Sequence, residues 1–141
     1  LTGIPADAAP KPKPFKGSYT LMLLPDPTGE AGVTQFGKGC TSLTQALGAQ
    51  QKSVNRKLLT IPGKGTLKVN LLALDPTNGA APIDWDLHIE TADGSDSFDK
   101  SVGQGSNEQT LTKFTKATKI AIEVCNYTGH PDATVTYSFK P

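Results

Sequence analysis

The side chains with the most chemistry to offer are crowded into one short stretch. Between Val69 and Asp99 the chain has seven acidic residues (Asp75, Asp84, Asp86, Glu90, Asp93, Asp96, Asp99) and neither Lys nor Arg. Such a density suits a hard cation, because Ca²⁺ takes about six to eight oxygens from carboxylates and carbonyls. Asp84 and Asp86 project from one face of an alternating segment, roughly 7 Å apart, close enough to share an ion. Asp75 and Asp93 sit in the loops on either side and complete the candidate calcium set, with Asn78 and the 93–99 turn as further donors. Neither an EF-hand loop nor a nonapeptide calcium repeat is present. An acidic strand face without such a motif is most often simply solvated.

There are two histidines, His88 and His130. His88 stands among Asp84, Asp86 and Glu90, is a candidate binding residue, and has the company to bind a transition metal. On an outward strand face its ordinary state is solvated. Nucleophilic catalysis lacks its signature, since no G-x-S-x-G elbow occurs. Paired carboxylates for glycoside hydrolysis must flank a cleft, and Asp84 with Asp86 on a flat strand do not. Gly63-Lys64-Gly65-Thr66 lacks phosphate-loop spacing and precedes a strand. The expectation is a protein without catalytic activity. Trp85, the sole Trp, belongs to the inward face and reads as core. Tyr19 and Tyr127 are candidate exposed binding aromatics. Asn126-Tyr127-Thr128 is a glycosylation sequon.

These residues need a frame, and composition supplies its class. The 141 residues make one domain's worth of chain, with 36% hydrophobic and 19% charged residues and 25 Gly plus Pro. That excludes a coiled coil, a helical bundle and a collagen. No apolar run is long enough to span a membrane, and a net charge of +1 gives no electrostatic case for nucleic acid. Cys40 and Cys125 are too far apart for a C-x-x-C site and read as one disulfide, which implies an oxidising compartment and a secreted protein. Residues 1–57 are net +4 and residues 58–141 net −3. The basic N-terminal residues (Lys11, Lys13, Lys16, Lys38, Lys52, Arg56, Lys57) could fold back onto that acidic face in weak surface pairs; the alternative is that they serve solubility alone.

Along the chain, residues 1–17 read as a Pro/Lys-rich flexible tether, and 18–141 as one β-sandwich domain. Strands are expected at 18–24, 54–61, 66–74, 83–91, 96–102, 107–114, 119–127 and 133–139, separated by Gly/Pro/Asp/Asn turns. The segment 83–91 alternates without a break: Ile83, Trp85, Leu87 and Ile89 on one face, Asp84, Asp86, His88 and Glu90 on the other. Residues 18–53 form an irregular N-terminal part, with a short strand near 33–36 and a helical turn or two within 41–51. On strand 119–127, Ile120, Ile122 and Val124 share the core face, so Cys125 points outward with Ala121 and Glu123. Cys40 then staples residues 28–50 over the outside of a sheet. Seven to eight strands at this spacing give an all-β, antiparallel sandwich of jelly-roll type with an irregular N-terminal extension.

Ile61-Pro62 stands before Gly65-Thr66-Leu67-Lys68-Val69, followed by Asp84-Trp85-Asp86-Leu87-His88-Ile89 and Asp93-Gly94. Asn107-Glu108, Ile120-Ala121-Ile122-Glu123-Val124 and the closing strand Thr134 to Phe139 come after these. With these motifs, residues 54–139 resemble the bacterial pre-peptidase C-terminal domain. His88 stands where the family usually has an aromatic. The resemblance implies a jelly roll acting as a non-catalytic accessory or binding module of a secreted bacterial protein, with calcium-binding relatives. The expected partner is a protein or polysaccharide at the cell surface or outside the cell, met by a monomer or by a domain of a larger secreted protein. The alternatives are a carbohydrate-binding module and a secreted, inhibitor-like protein-interaction module. Possible Ca²⁺ is the one cofactor expected.

Overall fold

In a computed structural model, residues 11–25, 40, 53–103 and 105–141 are described. They form eight strands: β1 (Phe15–Met22), β2 (Val54–Ile61), β3 (Gly65–Ala73), β4 (Asp84–Thr91), β5 (Ser97–Ser101), β6 (Asn107–Phe114), β7 (Thr118–Thr128) and β8 (Asp132–Lys140). Sheet I has the order β1-β8-β3-β6 and sheet II the order β2-β7-β4-β5. All named pairings are antiparallel, and the two sheets make a β-sandwich. β1 pairs with β8, β2 with β7, β3 with β6 and β4 with β5. The expected short strand at 33–36, the helical turn within 41–51 and the first ten residues of the tether lie outside the described residues. β1 begins at Phe15, so Phe15–Gly17 belong to a strand and not to the stretch read as tether.

Period-2 alternation builds the core. Leu67, Val69 and Leu71 of β3, Trp85, Leu87 and Ile89 of β4, Ile120, Ile122 and Val124 of β7, and Val135 and Phe139 of β8 interdigitate between the sheets. Trp85 is fully enclosed. Burying a large apolar side chain contributes about 1.5–3 kcal/mol, so this set supplies most of the driving force. Phe15 stacks on Phe139 at 5.2 Å and closes the β1 edge. Gly17 is required there, because a Cβ would run into the Tyr137 ring. Gly94 takes φ 75° in the β4–β5 turn, a conformation glycine adopts without steric cost.

Between β5 and β6 the interior turns polar. Thr112 Oγ1 donates to Asp99 Oδ2 at 3.2 Å, and the Ser101 hydroxyl donates to Glu108. These bonds tie the edge strands of the two sheets together. On β7 Asn126 is fully buried, and its Nδ2 donates to the Leu23 carbonyl at 2.8 Å. The sequon is thus committed to holding the chain that leaves β1. Expression in a glycosylating host is expected to add no glycan mass at Asn126, and intact-mass spectrometry checks this.

Candidate functional site

The two outer faces differ sharply. On sheet II the register sets Val54, Cys125 and Asp86 in one row and Arg56, Glu123 and His88 in the next. Leu58, Ala121 and Glu90 make the third row. Lys100 on β5 lies across from His88. Most of this face is buried: β4 from Trp85 to Glu90 and β7 from Ile120 to Tyr127 are buried on both sides. Asp86 is 9%, His88 7% and Glu90 0% exposed. The expectation of a solvated acidic face on β4 is therefore corrected. Alternation identified which side chains face together, but not that the outer side is enclosed. Cys125 does point outward, and its disulfide to Cys40 places both sulfurs on this face against Tyr127 and Val54. The remainder of residues 28–50, expected on the same face, lies outside the described residues.

Arg56 holds the centre of the grid. Its Nε lies 2.9 Å from Glu90 Oε1 and 3.0 Å from Glu123 Oε2, while Nη2 donates to the carbonyls of Thr91 and Ala92. One guanidinium thus serves two enclosed carboxylates. Burial, with the neighbouring Glu123 carboxylate, pushes Glu90 up to about 7 against the pull of Arg56. Protonated Glu90 can then donate to Glu123. Its Oε2 has no donor otherwise. Asp86 is also pushed up to about 7, first by burial and then by the Asp84 and Glu108 carboxylates. Burial moves His88 downward, so its imidazole is held neutral. Sequence reasoning placed Arg56 near the acids only as a surface partner; Glu123 and Glu108 it missed. Glu123 in the apolar run of β7 was the available signal.

The candidate calcium residues are not drawn together. Asp75 accepts from Thr77 N, Thr77 Oγ1 and Gly79 N, and these bonds, the Thr77 hydroxyl first, pull its pKa down. Asp93 accepts from Thr91 Oγ1, Ser95 N and Ser95 Oγ, which depress it in the same way. Each carboxylate shapes its own turn. Asp84 and Asp86 lie near Glu108 at the other end of β4 from Asp93. Burial raises both Asp84 and Glu108. Tyr127, expected exposed, is 2% exposed beneath the disulfide. Tyr19, also expected exposed, is half-buried against Tyr137, with ring centroids 6.3 Å apart, and Lys57 Nζ lies 5.3 Å from its ring centroid. His130 sits on the exposed turn before β8, with its Nδ1 3.8 Å from Asp132 Oδ2.

The outer face of sheet I is open. Its rows read Lys16, Ser138, Lys68, Leu111; then Ser18, Thr136, Asn70, Gln109; then Thr20, Thr134, Leu72, Asn107. The polar rows end in an apolar patch, where Met22 is 69%, Leu72 58% and Leu74 51% exposed. These three line a groove of about 650 Å³ with Thr20, Asp75 and Thr134. Two smaller grooves continue along the same face. None of the three contains a histidine or an aromatic ring other than Tyr137. Among the described residues, no helix is long and apolar enough to cross a membrane. Compared with known proteins, no family model matches the chain, and no curated protein matches its sequence.

Proposed function

We propose that this chain is a non-catalytic binding module of a secreted protein, docking on a protein surface through the Met22–Leu72–Leu74 end of sheet I. The observation that carries the reading is three large apolar side chains, each more than half exposed, around one groove. Isolated exposed apolar residues are normal, but a contiguous patch rimmed by polar side chains marks an interaction site. The Ser, Thr, Asn and Gln rows beside it suit a polar rim around that apolar centre. A polysaccharide reading needs rings to stack on sugars, and the groove at this end has aliphatic side chains instead. The buried disulfide supports an oxidising, extracellular setting.

The pairing of each strand with its mirror in sequence, first with eighth through to fourth with fifth, supports a jelly-roll winding of one long hairpin. That winding, with the Asp84–Ile89 motif on central β4 and Ile120–Val124 beside it on β7, supports kinship with pre-peptidase C-terminal domains. The docking reading is tested by retention on immobilised gelatin and casein and on insoluble chitin, cellulose and peptidoglycan. The native chain is expected to be held by a protein matrix, and Leu72→Lys with Leu74→Lys to lower retention at least tenfold without moving the melting midpoint. Retention on polysaccharide alone, indifferent to these substitutions, favours the carbohydrate-binding alternative. Retention on nothing overturns the reading.

A further inference from the structure

We propose that Cys40, Cys125 and His88 form a latent soft-metal site, closed while the cysteines are joined and able to take one Zn²⁺ once a dithiol has reduced them. The ligand atoms of these three residues all lie within 4.8 Å of one another. Cys40 and Cys125 are fully buried and His88 is 7% exposed. The His88 Nδ1 is enclosed and has no hydrogen-bond partner. A buried ring nitrogen without a partner is costly, and a cation bound to that nitrogen would remove the cost. The Cα atoms of the cysteines are 5.9 Å apart. A zinc ion holds thiolates at about 2.3 Å and imidazole at about 2.0–2.1 Å. Tetrahedral angles then put the two sulfurs about 3.8 Å apart, a separation that reduction permits.

Charge favours the same ion. Two thiolates neutralise Zn²⁺, and neutral His88 adds none, so the closed face would gain no net charge. Three protein ligands leave a fourth position for water, and Asp86 stands directly across the ladder from Cys125. The chemistry balances in two steps. A dithiol gives two electrons and two protons to the Cys40–Cys125 bond, yielding two thiols and a cyclic disulfide of the reductant. The thiols then release two protons as two Zn–S bonds form. Exchange with a cyclic disulfide of the same class reverses both steps: the oxidant takes the two electrons and two protons and becomes a dithiol, the Zn–S bonds break as the Cys40–Cys125 bond re-forms, and Zn²⁺ is released. The Cys40-to-β7 cross-link thus has a covalent form and a metal-bridged form.

The test uses the whole chain, reduced with dithiothreitol and desalted without oxygen, with Co²⁺ as the optical probe. One equivalent of Co²⁺ is expected to give thiolate charge-transfer absorption and tetrahedral d–d bands, both abolished by Zn²⁺. Zn²⁺ is expected to raise the melting midpoint of the reduced chain by several degrees. If reduction unfolds the chain, Zn²⁺ must restore its β-sheet spectrum, because binding free energy is then folding free energy. His88→Leu is expected to weaken Co²⁺ at least tenfold and remove the tetrahedral bands. The absence of a thiolate band at one equivalent overturns the proposal. So does a band of equal affinity in His88→Leu, which would show two thiols binding without a built site.

Discussion

Replacing Cys40 and Cys125 together by Ser lowers the melting midpoint by about 15 °C. The bond spans 85 residues of sequence. In the chain-entropy account such a closure stabilises by about 4–5 kcal/mol. For a domain of this size each kcal/mol moves the midpoint by roughly 3–5 °C. The effect has a second source, since the cystine packs against Tyr127 and Val54 and helps enclose the face behind β4. Calorimetry on the double variant checks both. A shift under about 3 °C would mean that the unfolded chain gains little freedom from the cut and that the face stays closed without it.

Arg56→Met has an effect of similar size, with a pH signature the disulfide lacks. Removing the guanidinium leaves Glu90 and Glu123, both 0% exposed, without their shared cation. Breaking a buried ion pair from one side costs about 3–5 kcal/mol. In the native chain Glu90 is raised from 4.5 to about 7. The folded state therefore keeps a proton that the unfolded state gives up between those values. Its contribution is complete below pH 4.5 and is lost as pH rises through 7. Asp86 acts in the same direction.

His88, whose folded pKa is lowered, acts the other way as pH falls below 6.5. Asp75 and Asp93, also lowered, lose their contribution only as pH falls from about 3.8. The window from pH 8 to pH 6 is thus dominated by the two carboxylates raised to about 7, Glu90 and Asp86, with His88 opposing them only in its last half unit. There the native chain gains about 1 kcal/mol for each, or several degrees in midpoint. Glu90→Gln is expected to halve that slope, and Arg56→Met to steepen it. A midpoint that is flat or falling from pH 8 to pH 6 would contradict this charge arrangement.

Most of the architecture was legible because it follows from alternation. All eight described strands lie within a few residues of where period 2 and turn residues put them, and β2 and β6 coincide with their expected bounds. The outward direction of Cys125 was legible for the same reason. The meaning of the Asp84, Asp86, His88 face was not. Alternation states which residues share a face, whereas enclosure depends on which strands flank β4 and what is fastened to them. Cys125 announced a covered face, but only the β4·β7 register shows that Asp86 and His88 share it. Asp75 and Asp93 misled for a local reason: a carboxylate that closes its own turn has the same spacing as one awaiting a cation. The Met22–Leu72–Leu74 patch lay at the ends of two strands, β1 and β3, and needed the β1-β8-β3 order to come together.

Hydroxyl-radical footprinting read by peptide mass spectrometry tests most directly which face is open. Met22, Leu72 and Leu74 are expected to be oxidised at rates near those of the unfolded chain, after allowance for intrinsic reactivity. His88 and Tyr127, at 7% and 2% exposure, are expected to be protected at least tenfold. Modification of His88 and Tyr127 as fast as in the unfolded chain would contradict the account. It would open the sheet II face, return Tyr127 to the candidate binding residues, and remove the ground for assigning docking to sheet I alone.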